Sequence, residues 1–445
     1  MPSAAGIPAE GDLSLEQVAA AWKILQPALV PTPLLRRPAL DNLRGYRVWL
    51  KPENLQRTGS FKIRGAYYKL HRIREAGRTT KIVAASAGNH AQGVAYAARE
   101  LGLDCVIVMP ERAPLPKRQA TQRYGAKLLL EGSCFDDSLA FALDYAKKEN
   151  REFISPFNDL DVITGQATLA WELLEEMRDD PPDAVLVPVG GGGLLAGITS
   201  VIKQRLPGCR IIALQSRCAP AFERSWKAYR AGSAEPLPVE PLPVDVPTQE
   251  TIADGVRVRR PGDLCWRLTR DRVDAAISLD DASIYEGIMF LLEQAKLVAE
   301  GAGVLGVAAL LDPAARRQIA ETGLPADARV VTVITGGNID TLTLKHVMEG
   351  NLSAKGRSRA VAIRIKDEPG QLAYILDFLR RKGAMVVDLR RFGSSRAAKG
   401  SRADIEILIE IEDEQHTQRV LEELNQEAKA RNFELLLEST GLQGG

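Results

Sequence analysis

The chain reads as an α/β protein: a doubly wound architecture with two lobes facing a cleft, followed by a smaller ferredoxin-like βαββαβ unit. Three observations predict this. Short apolar runs rich in β-branched residues alternate with stretches of helical period, the signature of βαβ units around a parallel sheet. A small, polar, aperiodic stretch, Asn351–Ser358, reads as a linker. Beyond it the order strand, helix, strand, strand, helix, strand is that of a split βαβ unit.

In chain order the predicted strands are Lys81–Ala85, Asp104–Met109, Lys127–Leu130, Ala184–Val189, Arg210–Leu214 and Arg329–Ile334. Helical patterns lie between them at Ala91–Leu101, Pro116–Tyr124, Ser138–Glu149, Gly165–Met177, Leu194–Lys203 and Ser283–Gln294. The proline-rich run Glu235–Pro247 interrupts the alternation and predicts a surface loop of polyproline character. After the linker come strand Arg359–Lys366, helix Gln371–Lys382, strands Met385–Phe392 and Arg402–Glu412, helix Glu414–Ala430 and strand Phe433–Ser439. Leu372, Ile375, Leu376 and Leu379 recur at three- and four-residue spacing and give the first of these helices one apolar face. The domains are thus 1–350, a linker at 351–358, and 359–441.

At 445 residues the chain can bury two or three separate cores. Its 58 basic and 57 acidic residues leave a net charge of +1, with no electrostatic footprint for nucleic acid or an anionic membrane. No run approaches the ~18–20 apolar residues of a membrane span, and the N-terminus carries no secretory or transit pattern. The five cysteines, Cys105, Cys134, Cys209, Cys218 and Cys265, are odd in number, far apart and free of C-x-x-C pairs. A cytoplasmic setting with buried free thiols is expected.

Four motifs carry chemistry. Gly59-Ser-Phe-Lys-Ile-Arg-Gly65 holds Lys62 between glycines and beside Phe61. A lysine desolvated in this way can lose ~3–5 pKa units and attack an aldehyde to form a Schiff base; the alternative is a surface cation where a helix begins near Ile63. Ser86-Ala-Gly-Asn-His-Ala-Gln-Gly93 follows a strand and opens a helix. Its hydroxyl and N–H groups suit a carboxylate, and Asn89 is neutral, able to hydrogen-bond a phenolate without taking its proton; a plain helix cap is the other reading.

Gly190-Gly-Gly-Gly-Leu194 lies between an apolar strand and a helix, where converging N–H groups and the helix dipole bind phosphate. Gly191, Gly193 and Ala196 also match a loose dinucleotide pattern, but the next strand ends in Gln215 instead of the acidic residue a ribose needs. Thr335-Gly-Gly-Asn338 closes the last predicted strand. Each motif sits at a strand's C-terminal end, where ligands gather in open α/β sheets.

Taken together, these motifs resemble the pyridoxal-phosphate enzymes of the tryptophan-synthase-β class (fold type II), in their threonine and serine dehydratase branch. The resemblance covers nearly all of residues 15–350 and extends to Ile252–Gly262 and Glu300-Gly-Ala-Gly303. It implies that pyridoxal 5'-phosphate is held by Lys62, flanked by Phe61, with its phosphate cradled by Gly190, Gly191, Gly192, Gly193 and Leu194. Asn89 would contact the 3-hydroxyl and Thr335 the ring nitrogen, while Ser86, Ala87, Gly88, Asn89 and His90 grip the substrate carboxylate. A hydroxyl at the ring nitrogen makes a weaker electron sink than a protonating carboxylate would, which favours expelling a β-substituent.

The implied activity is α,β-elimination of L-threonine, and of L-serine, to a 2-oxo acid and ammonia, with Lys62 as the base at Cα. Two departures from the related serine racemases sharpen this. Ala87 stands where they carry a second serine base, so two-base racemisation is disfavoured, and Gln215 and Ala221 replace carboxylates of their divalent-metal site. A cysteine-synthase-like β-replacement enzyme and an inactive amino-acid sensor are the alternative functions. Asp367-Glu-Pro-Gly-Gln-Leu372 resembles the strand-to-helix turn of ACT domains. It implies a branched-chain amino acid effector held by Asp367, Gly370, Gln371 and Leu372 in a homodimer or homotetramer.

Overall fold

The computed structural model describes residues 13–41, 45–231, 243–354, 358–395 and 402–436. It divides into compact units at 1–340 and 341–445. The boundary thus falls before residue 350, and the helix Thr341–Ala354 runs into the expected linker, whose residues 355–357 lie outside the described residues. Most of the proline-rich run and the end of the last predicted strand lie outside them too.

Within the first unit, the smaller lobe is a parallel sheet in the order Lys127–Leu130, Asp104–Met109, Lys81–Ala85, Glu152–Phe153. The larger lobe's sheet runs Leu35–Arg36, Arg47–Pro52, Arg329–Ile334, Ala184–Pro188, Arg210–Ser216, Ala275–Leu279, parallel except for the first pair. Arg47–Pro52, Glu152–Phe153 and Ala275–Leu279 escaped the sequence reading. The first puts a lysine and an arginine in a strand whose burial depends on distant partners.

Helix Leu160–Glu176 ties the site together. Asp159 caps it, accepting from Val162 N at 3.0 Å, so it starts well before the predicted Gly165. Gly165 lies against the helix Lys62–Glu75: a Cβ there would stand 2.5 Å from Arg64 O and 2.6 Å from Gly65 Cα. On another side, a Cβ at Gly197 of the helix Gly193–Arg205 would stand 2.7 Å from Ala167 N. The lysine helix and the glycine-turn helix are therefore both seated on one rod, at distances only glycine permits.

A buried ion network locks the same region. Lys51, Glu53 and Arg64 have no exposed surface. Arg64 donates to both oxygens of Glu53, at 2.7 and 2.8 Å, and to Glu172 at 2.8 Å, while Lys51 reaches Glu172 at 2.7 Å and Glu176 at 2.5 Å. Each carboxylate has a hydrogen-bonded cation, the condition under which buried charge is tolerated.

The second unit has an antiparallel sheet in the order Met385–Ser395, Arg402–Glu410, Ser358–Lys366, Glu434–Leu436, with helices Gln371–Arg381 and Glu414–Arg431. This is the predicted ferredoxin-like order. Ile375, Phe378, Leu379, Val420 and Leu424 pack onto Ile363, Ile405, Ile407 and Ile409. Cys105, Cys209 and Cys265 are buried free thiols as expected, but Cys134 is exposed. Among the described residues no helix is long and apolar enough to cross a membrane.

Candidate active site

Lys62 is the first residue of its helix, and the segment before it is held by the large sheet. Ser60 bridges Gly336, Phe61 N donates to Thr335 O at 3.1 Å, and Gly337 N donates to Gly59 O at 2.9 Å. Gly59 adopts φ +70°, a left-handed turn that glycine makes without strain, while Thr58 does so at φ 63° with a side chain. The Lys62 ammonium lies 5.2 Å from the Phe61 ring centroid and donates to Pro156 O at 3.2 Å. Burial brings its pKa down from 10.5 to about 8, only partly offset by the neighbouring Cys265 and Glu300 side chains. The amine is thus close to its reactive form near neutral pH.

The Ser86–His90 turn sits at the end of Lys81–Ala85. Gly88 N donates to Ser86 Oγ at 3.1 Å, and the helix begins at Asn89, so the N–H groups of its first turn have no acceptor within the helix. The His90 ring turns away: buried, it meets Ile154 O at 3.1 Å, and burial with the nearby Lys62 charge holds its pKa at about 3. It stays neutral, which leaves only the backbone of His90 for a substrate carboxylate. Ala87 packs against the small-lobe core.

The glycine turn Gly190–Gly193 leads into a helix starting at Gly193, with Gly192 at φ +97°. Added Cβ atoms at Gly191 and Gly192 would fall 2.2 Å from the Phe157 ring and 2.8 Å from Cys265 Cβ. Those two neighbours leave no room for side chains there and keep the turn's N–H groups bare. Cys265 donates to Phe157 O at 3.3 Å, and burial pushes its thiol up to about 12, so it is packing and not a nucleophile. Gln215 is internal, bonded to Val189 O at 3.1 Å and accepting from Glu223 N at 2.9 Å. It is a buried plug at the strand end, its amide engaged on both sides.

Thr335 is 4% exposed at the end of Arg329–Ile334, its carbonyl committed to Phe61. Two site residues were not singled out from the sequence. Glu300, 7% exposed, accepts from Asn89 Nδ2 at 2.7 Å, and Asn338 Nδ2 donates to Asn89 Oδ1 at 2.8 Å. Burial, with Asp254 nearby, raises the Glu300 pKa to about 7 against the pull of Asn89, Lys117 and Lys62. Both residues lie inside motifs legible in the chain, EGAG and TGGN. What the motifs do not show is that they converge on Asn89. Lys117 of the small lobe also reaches Asp254 of the large one at 2.5 Å, spanning the cleft beside Glu300.

A buried lysine of lowered pKa, a hydrogen-bonded neutral amide and a glycine turn after a strand agree with the family comparison: the model for "pyridoxal-phosphate dependent enzyme" matches residues 25–336. The chain belongs to the pyridoxal-phosphate dependent enzymes. It is 38% identical to the L-threonine ammonia-lyase of Thermotoga maritima over 408 residues, 92% of this chain and 96% of that one. That span is too long to fit within residues 1–340, so the likeness continues into the C-terminal unit. It is 36% identical to the catabolic L-threonine dehydratase of Staphylococcus aureus over 78% of this chain and 96% of that protein.

Among solved structures, maize serine racemase matches with a TM-score of 0.68 and 29% identity, covering 76% of this chain and 98% of that one. The threonine deaminase of T.th. matches with a TM-score of 0.64 and 36% identity, covering 74% of this chain and 99% of that one. Fold type II and pyridoxal phosphate as cofactor follow for this pyridoxal-phosphate dependent enzyme. The residues present fit the cofactor: an amine of lowered pKa for its aldehyde, bare N–H groups for its phosphate, and a neutral amide for its phenol.

Proposed function

We propose that this enzyme deaminates L-threonine to 2-oxobutanoate and ammonia, acts also on L-serine, and is controlled by a branched-chain amino acid bound to the C-terminal unit. What supports the reaction type is Lys62, an amine of lowered pKa, together with Ala87, a methyl that moves no proton. Bound pyridoxal phosphate supplies the electron sink that makes a substrate α-proton acidic. Lys62 Nζ takes that proton, Ser86 and the backbone of Gly88–His90 hold the carboxylate, and Asn89, Thr335 and Gly190–Leu194 hold the cofactor. With a base on one face only, elimination of the β-hydroxyl is favoured over racemisation, which separates this reading from the serine racemase the fold also matches.

In the C-terminal unit the effector would meet the turn Asp367–Leu372. Gly370 caps its helix at φ +95°, Gln371 is braced by Lys366 N at 3.2 Å and Arg431 O at 3.3 Å, and Asp367 pairs with Arg391 at 2.9 Å. Leu372 packs toward the core, so its backbone and not its side chain is the contact offered. The edge strand Met385–Ser395 exposes Met385 and Val387 (60% and 54%), which supports association of copies in a homo-oligomer.

Keto-acid release from threonine and from serine, with and without isoleucine or valine, tests all of this. Release from threonine that falls or rises with effector in the full chain, but not in a chain ending at Asp340, is expected. Product from an activated serine only when sulfide is added would establish β-replacement instead.

A further inference from the structure

A chain of hydrogen bonds dictates which end of the Asn89 amide faces which neighbour. It starts at the Thr58 carbonyl, which can only accept. Asn338 Nδ2 stands 2.8 Å from that oxygen and 2.8 Å from Asn89 Oδ1, so each of its two hydrogens has one acceptor. The Asn89 atom facing it is therefore the oxygen. Asn89 Nδ2 then points at Glu300 Oε1, 2.7 Å away. Turning either amide over would set oxygen against oxygen or leave a donor facing a donor. Protonation of Glu300 does not reverse the order: the Thr58 end sets which way round the amide lies, and Glu300 anchors its nitrogen end there.

Two glycines make room for this chain. A Cβ at Gly59 would stand 2.5 Å from Asn338 Oδ1, and one at Gly336 would stand 2.4 Å from Glu300 Oε1 and 2.9 Å from Asn89 Nδ2. The backbone holds the same groups in place: Glu300 N donates to Gly336 O at 3.0 Å and Gly337 N to Gly59 O at 2.9 Å. Segments far apart in the chain thus meet around one small amide, and that amide is left with a single N–H to offer a ligand.

We propose that Glu300 is a positioning residue that, with Asn338, locks the Asn89 amide so that its remaining N–H is aimed at the ring oxygen of bound pyridoxal phosphate and keeps that oxygen ionised. The inference rests on the reading above that Asn89 contacts this oxygen. Turned the other way, the amide would present its own oxygen and favour the neutral, protonated ring hydroxyl.

The test is the visible spectrum of the cofactor-bound protein without substrate, read as the ratio of the long-wavelength band of the ionised ring oxygen to the shorter-wavelength band of the neutral one. Glu300→Leu is expected to lower that ratio by about fivefold, the worth of one hydrogen bond. Glu300→Gln, whose carbonyl still accepts, is expected to restore it. Should the leucine variant not fold, Glu300→Met carries the same test, while Asn338→Asp probes the other end of the lock: a carboxylate cannot donate to Thr58 O, so Asn89 turns over and the ratio falls. Asn89→Ala separates the two layers of the argument. If it leaves the ratio unchanged, Asn89 does not contact the ring oxygen. If it lowers the ratio while a folded Glu300→Leu or Glu300→Met matches the parent, the positioning role of Glu300 is overturned.

Discussion

Gly165→Ala separates rigid positioning from stability. The new methyl would sit 2.5 Å from Arg64 O and 2.6 Å from Gly65 Cα, both backbone atoms of the helix that begins with Lys62. Non-bonded carbons settle at about 3.5–4.0 Å, so the two helices must part by about 1 Å. Overpacking of this kind costs about 1–3 kcal/mol, while alanine in a helix interior returns up to about 1 kcal/mol relative to glycine. Net destabilisation is therefore small, on the order of 0–2 kcal/mol. The displaced helix, however, carries the reactive amine, and a 1 Å misplacement of reacting groups costs about a hundredfold in rate. The assay is kcat/KM for keto-acid release beside a denaturant melt, with Gly208→Ala, where an added Cβ meets nothing within 4 Å, as the control. Activity within roughly threefold of the parent, about 0.7 kcal/mol of barrier, would refute the idea that this contact sets the site geometry.

The ion network predicts a different balance: Arg64→Met leaves Glu53 buried with Thr32 as its remaining hydrogen-bond donor, and is expected to cost about 3–5 kcal/mol of stability, part of it recovered by adding Glu53→Gln. Equal melts for the single and double variants would remove that account. The lowered pKa of Lys62 makes a pH prediction for the apoprotein. Between about 8 and 10.5 the unfolded lysine holds a proton that the folded one has lost, so stability rises with pH across that window. Melts at several pH values should show this slope in the parent and a shallower one in Lys62→Met. In the same variant, incubation with pyridoxal phosphate should yield no cofactor band that survives dialysis. In the C-terminal unit, Gly370 occupies φ +95° in open space, so Gly370→Ala meets no clash but strains the backbone by about 1–2 kcal/mol. It should weaken the effector response measured on threonine turnover while leaving the effector-free rate unchanged.

Much of this architecture was legible because its signals are local. The core strands of both lobes alternate with helices at readable spacing, and the four motifs announce themselves by residue types a solvated surface has no reason to combine. What the chain does not display is convergence. Arg47–Pro52 reads as a mixed polar stretch because the charge of the buried Lys51 is matched by Glu172 and Glu176, which lie on a helix far along the sequence. His90 reads as a substrate contact because it sits in the asparagine loop, yet its ring is claimed by Ile154 from a neighbouring strand end. Glu300 and Asn338 read as turn residues until Asn89 is placed between them.

The same distinction explains why the glycines were harder to read than the lysine. Lys62 carries its chemistry on its own side chain, so its neighbours in sequence are enough to raise suspicion. Gly65, Gly165, Gly197 and Gly336 act by having nothing there, and the atoms that would collide with a Cβ belong to other segments in every case. Their consequence is mechanical: at Gly165 and Gly197 the lysine helix and the glycine-turn helix meet the same rod backbone to backbone, and at Gly336 the chain leaves room for the Glu300 and Asn89 side chains. A preorganised site of this kind gains its rate from orientation. The positions that tune it should therefore be found as much among these glycines as among the residues that touch the cofactor.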